Sequence, residues 1–85
     1  MRVTWLDIIK EAFGSIGTEL CLVDIYKRVL EVCENNYPER IIPESYDAII
    51  RNCIETHSES SDAFVSDHCF ESVYGKGHGF WRRVK

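Results

Sequence analysis

The sequence predicts an α+β fold of three helices followed by a C-terminal β-hairpin, and three observations carry that prediction. First, Trp5, Ile8, Ile9, Ala12, Phe13 and Ile16 recur at the spacing of one helix face, and two later stretches repeat the pattern. Second, Phe70, Ser72 and Tyr74 alternate with Glu71 and Val73, and Phe80–Val84 forms a second short aromatic run; both have the composition of strands. Third, the glycine-rich string GKGHG (Gly75–Gly79) separates those two runs, as a hairpin turn would. Helix, helix, helix and hairpin in that order are the plan of a winged helix-turn-helix, with the third helix in the reading position and the hairpin as the wing.

The first helix is expected over about residues 4–16. The Thr4 hydroxyl can accept the N–H of Asp7, and Asp7 sits near the positive end of the helix dipole. Gly14 weakens the last turns, and Gly17 is the expected left-handed terminator. Leu20 and Cys21 then form a small strand running directly into the second helix, about 22–34, whose apolar face is Leu22, Ile25, Tyr26, Val29, Leu30 and Cys33. Asn35, Asn36 and Pro38 close it. The turn over 37–42 is longer than in a minimal helix-turn-helix, with Ile41 and Ile42 expected to anchor it to the core.

The third helix, about 43–57, is the centre of the chain. Proline is tolerated in a first turn, and Tyr46, Ile49, Ile50, Cys53, Ile54 and His57 form one face. Glu44, Asp47, Ala48, Arg51 and Glu55 lie opposite, with Ser45 and Asn52 at the edge. A polar loop, SESSDAF, follows and is expected to return the chain to the core at Phe64; the wing then occupies about 69–84. There is no internal repeat, low-complexity segment or linker, so residues 1–85 read as a single domain. Trp5 and Trp81 are expected to face the core.

Composition limits the function. No apolar run approaches the length that spans a bilayer, and charge inside the N-terminal apolar pattern argues against a signal peptide. The expected location is the cytoplasm, or the nucleus in a eukaryote. The four cysteines show no CxxC or paired spacing, which predicts reduced, structural thiols and no metal. No nucleophile–base grouping, paired carboxylate motif or phosphate-binding loop is present, so neither an enzyme nor a cofactor is expected. Net charge is −4, but all fourteen acids precede residue 72, whereas Lys76, Arg82, Arg83 and Lys85 follow it. One surface of such a chain repels phosphate and another attracts it.

The candidate base-contacting residues are Ser45, Arg51 and Asn52. Arginine pairs bidentately with guanine, and asparagine has the groups that match adenine. The plain alternative is a solvated face on which Arg51 bridges to Asp47 or Glu55 one turn away. Candidate phosphate contacts are Ser58 at the helix end, Lys76, Gly77 and His78 at the wing tip, and Arg82 on the returning strand, where Arg82 and Arg83 alternate faces. The plain alternative for the glycines is turn geometry alone. His57 reads as a partly buried helix-end histidine.

Several strings in combination, TWLDIIKEAF, LVDIYKRV, AIIRNCIETHS, DAF and the ending F-x-S-V-x-G-K-G-x-G-x-W, carry a family resemblance over nearly all of the chain. It resembles the winged-helix modules attached to bacterial restriction endonucleases of the HNH and related classes, and more distantly the HARE-HTH domains of eukaryotic chromatin proteins. The resemblance implies binding of double-stranded DNA, in some members with sensitivity to base modification, and an adjoining nuclease or other protein domain for which this part would target rather than cut. Arg51, His57 and Ser58 match its third-helix motif, and Lys76 and Gly77 its wing. Cys21 stands where those domains often place a Ser or Thr cap, and the third helix is more acidic than a strong DNA reader. Two rival readings remain open. One is a protein-interaction module using its acidic helix faces, and the other is single-strand binding through Tyr74 and Phe80.

Overall fold

In a computed structural model, which describes residues 3–59, 61, 63–74 and 79–85, the chain is α+β, with three helices and a three-stranded antiparallel sheet. Helix α1 spans Trp5–Phe13 and begins with a reciprocal cap. Asp7 N–H donates to Thr4 Oγ1 at 3.2 Å, and Thr4 N–H donates to Asp7 Oδ2 at 3.0 Å, so two donors of the first turn are satisfied by one pair of side chains. Hydrogen bonds from the Thr4 backbone and hydroxyl hold the Asp7 carboxyl below its ordinary pKa. The helix ends three residues earlier than the expected 4–16. Gly14 takes φ +81°, and its N–H closes the helix onto the Lys10 and Glu11 carbonyls. Ile16, which completes the apolar spacing on paper, lies past that break and is exposed.

Strand β1 (Glu19–Cys21) runs into α2 (Leu22–Asn36), as expected from Leu20 and Cys21. Helix α2 buries Ile25, Val29 and Cys33 and continues two residues beyond the expected end. In the turn that follows, Ile42 packs on the core while Ile41 is 87% exposed, against the expectation that both anchor it. Helix α3 spans Tyr46–Thr56. Pro43–Ser45 precede it as a turn, with Tyr46 N–H donating to the Pro43 carbonyl. Ile50 and Ile54 are the fully buried residues of its apolar face, and Tyr46 and Cys53 pack at the margin.

Strands β2 (Phe70–Ser72) and β3 (Phe80–Arg83) pair antiparallel, and β3 is also paired with β1, giving the order β1–β3–β2. The sheet therefore contains one strand more than the hairpin alone. Register places Leu20 opposite Trp81 and Phe70 opposite Arg83 on one face, and Glu19 and Glu71 on either side of Arg82 on the other. Leu20 and Phe70 are buried, so the first face is the inner one. The Phe13 and Phe70 rings meet there at 5.2 Å, which joins the sheet to α1. Trp5 and Trp81 are half-buried against this core, and the Arg40 guanidinium covers Trp5 at 4.7 Å from the ring centre.

Phe64 does not return the chain to the core; it is exposed in the loop after α3. Cys69 and Phe70 make the return, their N–H groups both donating to the His57 carbonyl. All four cysteines are free thiols. No helix among the described residues is long and apolar enough to cross a membrane.

Candidate nucleic-acid interface

Because Ile50 and Ile54 turn one side of α3 inward, the opposite side is presented to solvent, and Ser45, Asp47, Ala48, Arg51 and Asn52 are all exposed on it. Ser45 occupies the N-cap position but makes no side-chain capping bond. Asp47 Oδ1 accepts the N–H of Ala48 at 2.8 Å. The bridge from Arg51 to Asp47 or Glu55 does not form: among the described residues no ion pair or hydrogen bond engages the Arg51 side chain. Tyr26 of α2 packs edge-on to Tyr46 at 6.4 Å beneath this face. Burial pushes the Tyr26 phenol above its ordinary pKa, and the nearby Arg51 charge works against that rise.

The structure corrects two phosphate-contact expectations. Ser58 is fully buried at the start of the loop after α3, so its hydroxyl has no route to a ligand in solution. Arg82 is half-exposed on the outer sheet face, but its guanidinium is held between two acids, with Nη2 2.9 Å from Glu19 Oε2 and Nη1 2.5 Å from Glu71 Oε1. Hydrogen bonds to Glu19 and then Glu71 raise its pKa, and two carboxylates more than balance its charge locally. Lys76, Gly77 and His78 lie outside the described residues.

Other late or basic residues also turn inward. Arg83, on the inner face, donates to the carbonyls of Lys10 and Gly14 at the end of α1 and to that of Lys85. Arg40 donates to the Val3 carbonyl at 3.0 Å. Lys27, Arg28, Arg51 and Lys85 remain exposed, Arg28 with one long bond of 3.5 Å to the Ala12 carbonyl. The role of Arg83 was missed from sequence. Its alternation with Arg82 was visible, but not that a helix C-terminus lies beneath it. On the outer sheet face Phe80 and Tyr74, 41% and 60% exposed, meet edge-to-face at 5.2 Å. Among the described residues no group of three or more His, Cys, Asp or Glu is placed to hold a metal. No family model matches the chain, and no curated protein or solved structure is significantly similar to it.

Proposed function

We propose that this chain is a winged-helix module that binds double-stranded DNA, laying α3 in the major groove and setting the β2–β3 hairpin on the neighbouring backbone. The observation that carries the reading is Arg51, an exposed guanidinium at the middle of the outward face of α3 with neither Asp47 nor Glu55 paired to it. Ser45 and Asn52 stand on the same exposed side. The order of elements and the β1–β3–β2 sheet are consistent with a winged helix-turn-helix. A helix of about 10–12 Å diameter fits a groove about 12 Å wide.

In this reading Arg51 reads a guanine edge, with Asn52 and Ser45 beside it, while Lys76, Gly77 and His78 supply the phosphate contacts of the wing. Ser58 and Arg82 drop out of the contact set, the first buried and the second neutralised. The resemblance to restriction-associated modules adds targeting of modified DNA on behalf of an adjoining nuclease domain. The test is fluorescence anisotropy of a labelled duplex, unmodified and methylated, at two salt concentrations. With two or three phosphates neutralised, log K falls against log salt with a slope of roughly −2 to −3. No binding at low salt overturns the reading.

One observation favours a second function, protein interaction. Glu44 and Asp47 are exposed and Glu55 half-exposed around Arg51, and the Arg82 charge is cancelled, so much of the outer surface is acidic. A basic protein partner lost on Glu44→Lys or Asp47→Lys, in a chain that shifts no duplex, selects that alternative.

A further inference from the structure

The segment joining α3 to β2 is closed by two histidines with opposite hydrogen-bonding parts. His57 Nδ1 faces two carbonyl oxygens, Ser66 at 2.8 Å and Asp67 at 3.2 Å, so this nitrogen carries a proton and donates. At His68 the direction is reversed. Glu59 N–H donates to His68 Nδ1 at 2.9 Å, so that nitrogen presents a lone pair and the ring proton sits on Nε2. A second proton on His57 goes to Nε2 and leaves its bonds intact. A second proton on His68 can go only to Nδ1, where it faces the N–H of Glu59.

We infer that His68 is a pH-operated clasp on Glu59, just past the end of α3. The neutral ring holds the Glu59 end of the loop, and protonation releases it. The far end stays attached in both states, through His57 to Ser66 and Asp67 and through the Cys69 and Phe70 N–H groups on the His57 carbonyl. Release therefore concerns the Glu59 amide alone. Asp67, at φ +53°, already holds the left-handed bend that brings His68 back toward Glu59. Among the described residues, the titratable groups nearest the clasp along the chain are Glu59 on the donor residue, Asp67 before His68 and Cys69 after it, and His57 at the end of α3. The inference does not depend on DNA binding, and its test uses none.

The experiment is a two-dimensional NMR titration of the whole 85-residue chain from high to low pH across the imidazole range, with hydrogen exchange at each step. The Glu59 amide is expected to shift with the same midpoint as the His68 ring. Its protection, corrected for intrinsic exchange and referred to Ile50 and Ile54, falls by about fivefold, the equilibrium weight of one ordinary hydrogen bond. His68→Asn, whose carboxamide oxygen can replace Nδ1 as a non-titrating acceptor, should flatten the Glu59 response. A Glu59 amide in the unaltered protein that ignores the His68 titration overturns the inference, as does an unchanged response in folded His68→Asn.

Discussion

Arg83, in the last position of the central strand, donates through Nη1 to the main-chain carbonyl of Gly14, 69 residues earlier. With a second bond to the Lys10 carbonyl, which also accepts the Gly14 N–H, the guanidinium sits at the negative end of α1. The reverse contact lies nearby, the Gly17 N–H donating to the Arg83 carbonyl at 2.7 Å. Sheet and first helix are thus joined through one residue as well as through the Phe13–Phe70 contact. Arg83→Ala should lower unfolding stability by about 1–3 kcal/mol, read by urea denaturation. Arg83→Lys should recover only part of that loss, since an ammonium lacks the planar fork.

Arg51 and Arg82 should behave differently toward DNA. Arg51→Ala is expected to weaken duplex binding about five- to a hundredfold, since a bidentate base contact is worth about 1–3 kcal/mol. Arg82→Ala should change it little, because Glu19 and Glu71 already occupy that guanidinium. The paired variant Glu19→Gln/Glu71→Gln should then increase affinity and steepen its salt dependence. Anisotropy titrations on one duplex check all three, and equal losses from Arg51→Ala and Arg82→Ala would contradict the contact assignment.

The cap on α1 carries its own pH dependence. Thr4→Ala removes the acceptor for Asp7 N–H and should cost about 1 kcal/mol in chemical denaturation. The Asp7 carboxyl has a folded pKa below its unfolded one. Its contribution is therefore full above the ordinary aspartate value, about 3.9, and is lost as pH falls through the lower folded value. Asp7→Asn should flatten that acid limb, measured as denaturation midpoint against pH.

Cys53 should resist alkylation. Burial, then the neighbouring Cys69 sulfur, pushes its thiol up to about 11. A folded pKa above the unfolded one gives a contribution that is full below the ordinary thiol value and lost as pH rises through about 11. At mildly alkaline pH, iodoacetamide followed by mass spectrometry should modify half-exposed Cys21 well before Cys53, with buried Cys33 and Cys69 reacting only on unfolding. Rapid labelling of Cys53 in the folded chain would contradict this order.

The three helices, their inward faces, the Thr4 cap and the small strand at Leu20 and Cys21 were legible in the sequence by itself, because each rests on local spacing. A helix repeats its face every three or four residues whatever the rest of the chain does. The ends were less legible. Gly14 was recognised as a weak point, but that it stops α1 and leaves Ile16 outside depends on where the chain must turn to meet β3. Ile41 and Ile42 are equivalent as composition, yet neighbours in a non-helical turn point different ways, and only Ile42 reaches the core. Phe64 has the character of a core residue, but the His57 carbonyl brings the chain back at Cys69 and Phe70 instead.

Which cations remain available to a ligand was decided by tertiary structure alone. Arg82 meets Glu19 across 63 residues and Glu71 across 11, a pairing fixed by sheet register. Arg83 is committed to the end of α1 by the face on which strand alternation leaves it, and Ser58 is fully buried just past α3. Charge along a chain is a sum over sequence, but the field it makes depends on which opposite charge lies within a few ångströms. The sequence by itself therefore determined the faces of the helices, and the fold decided which of the charges on them were left facing water.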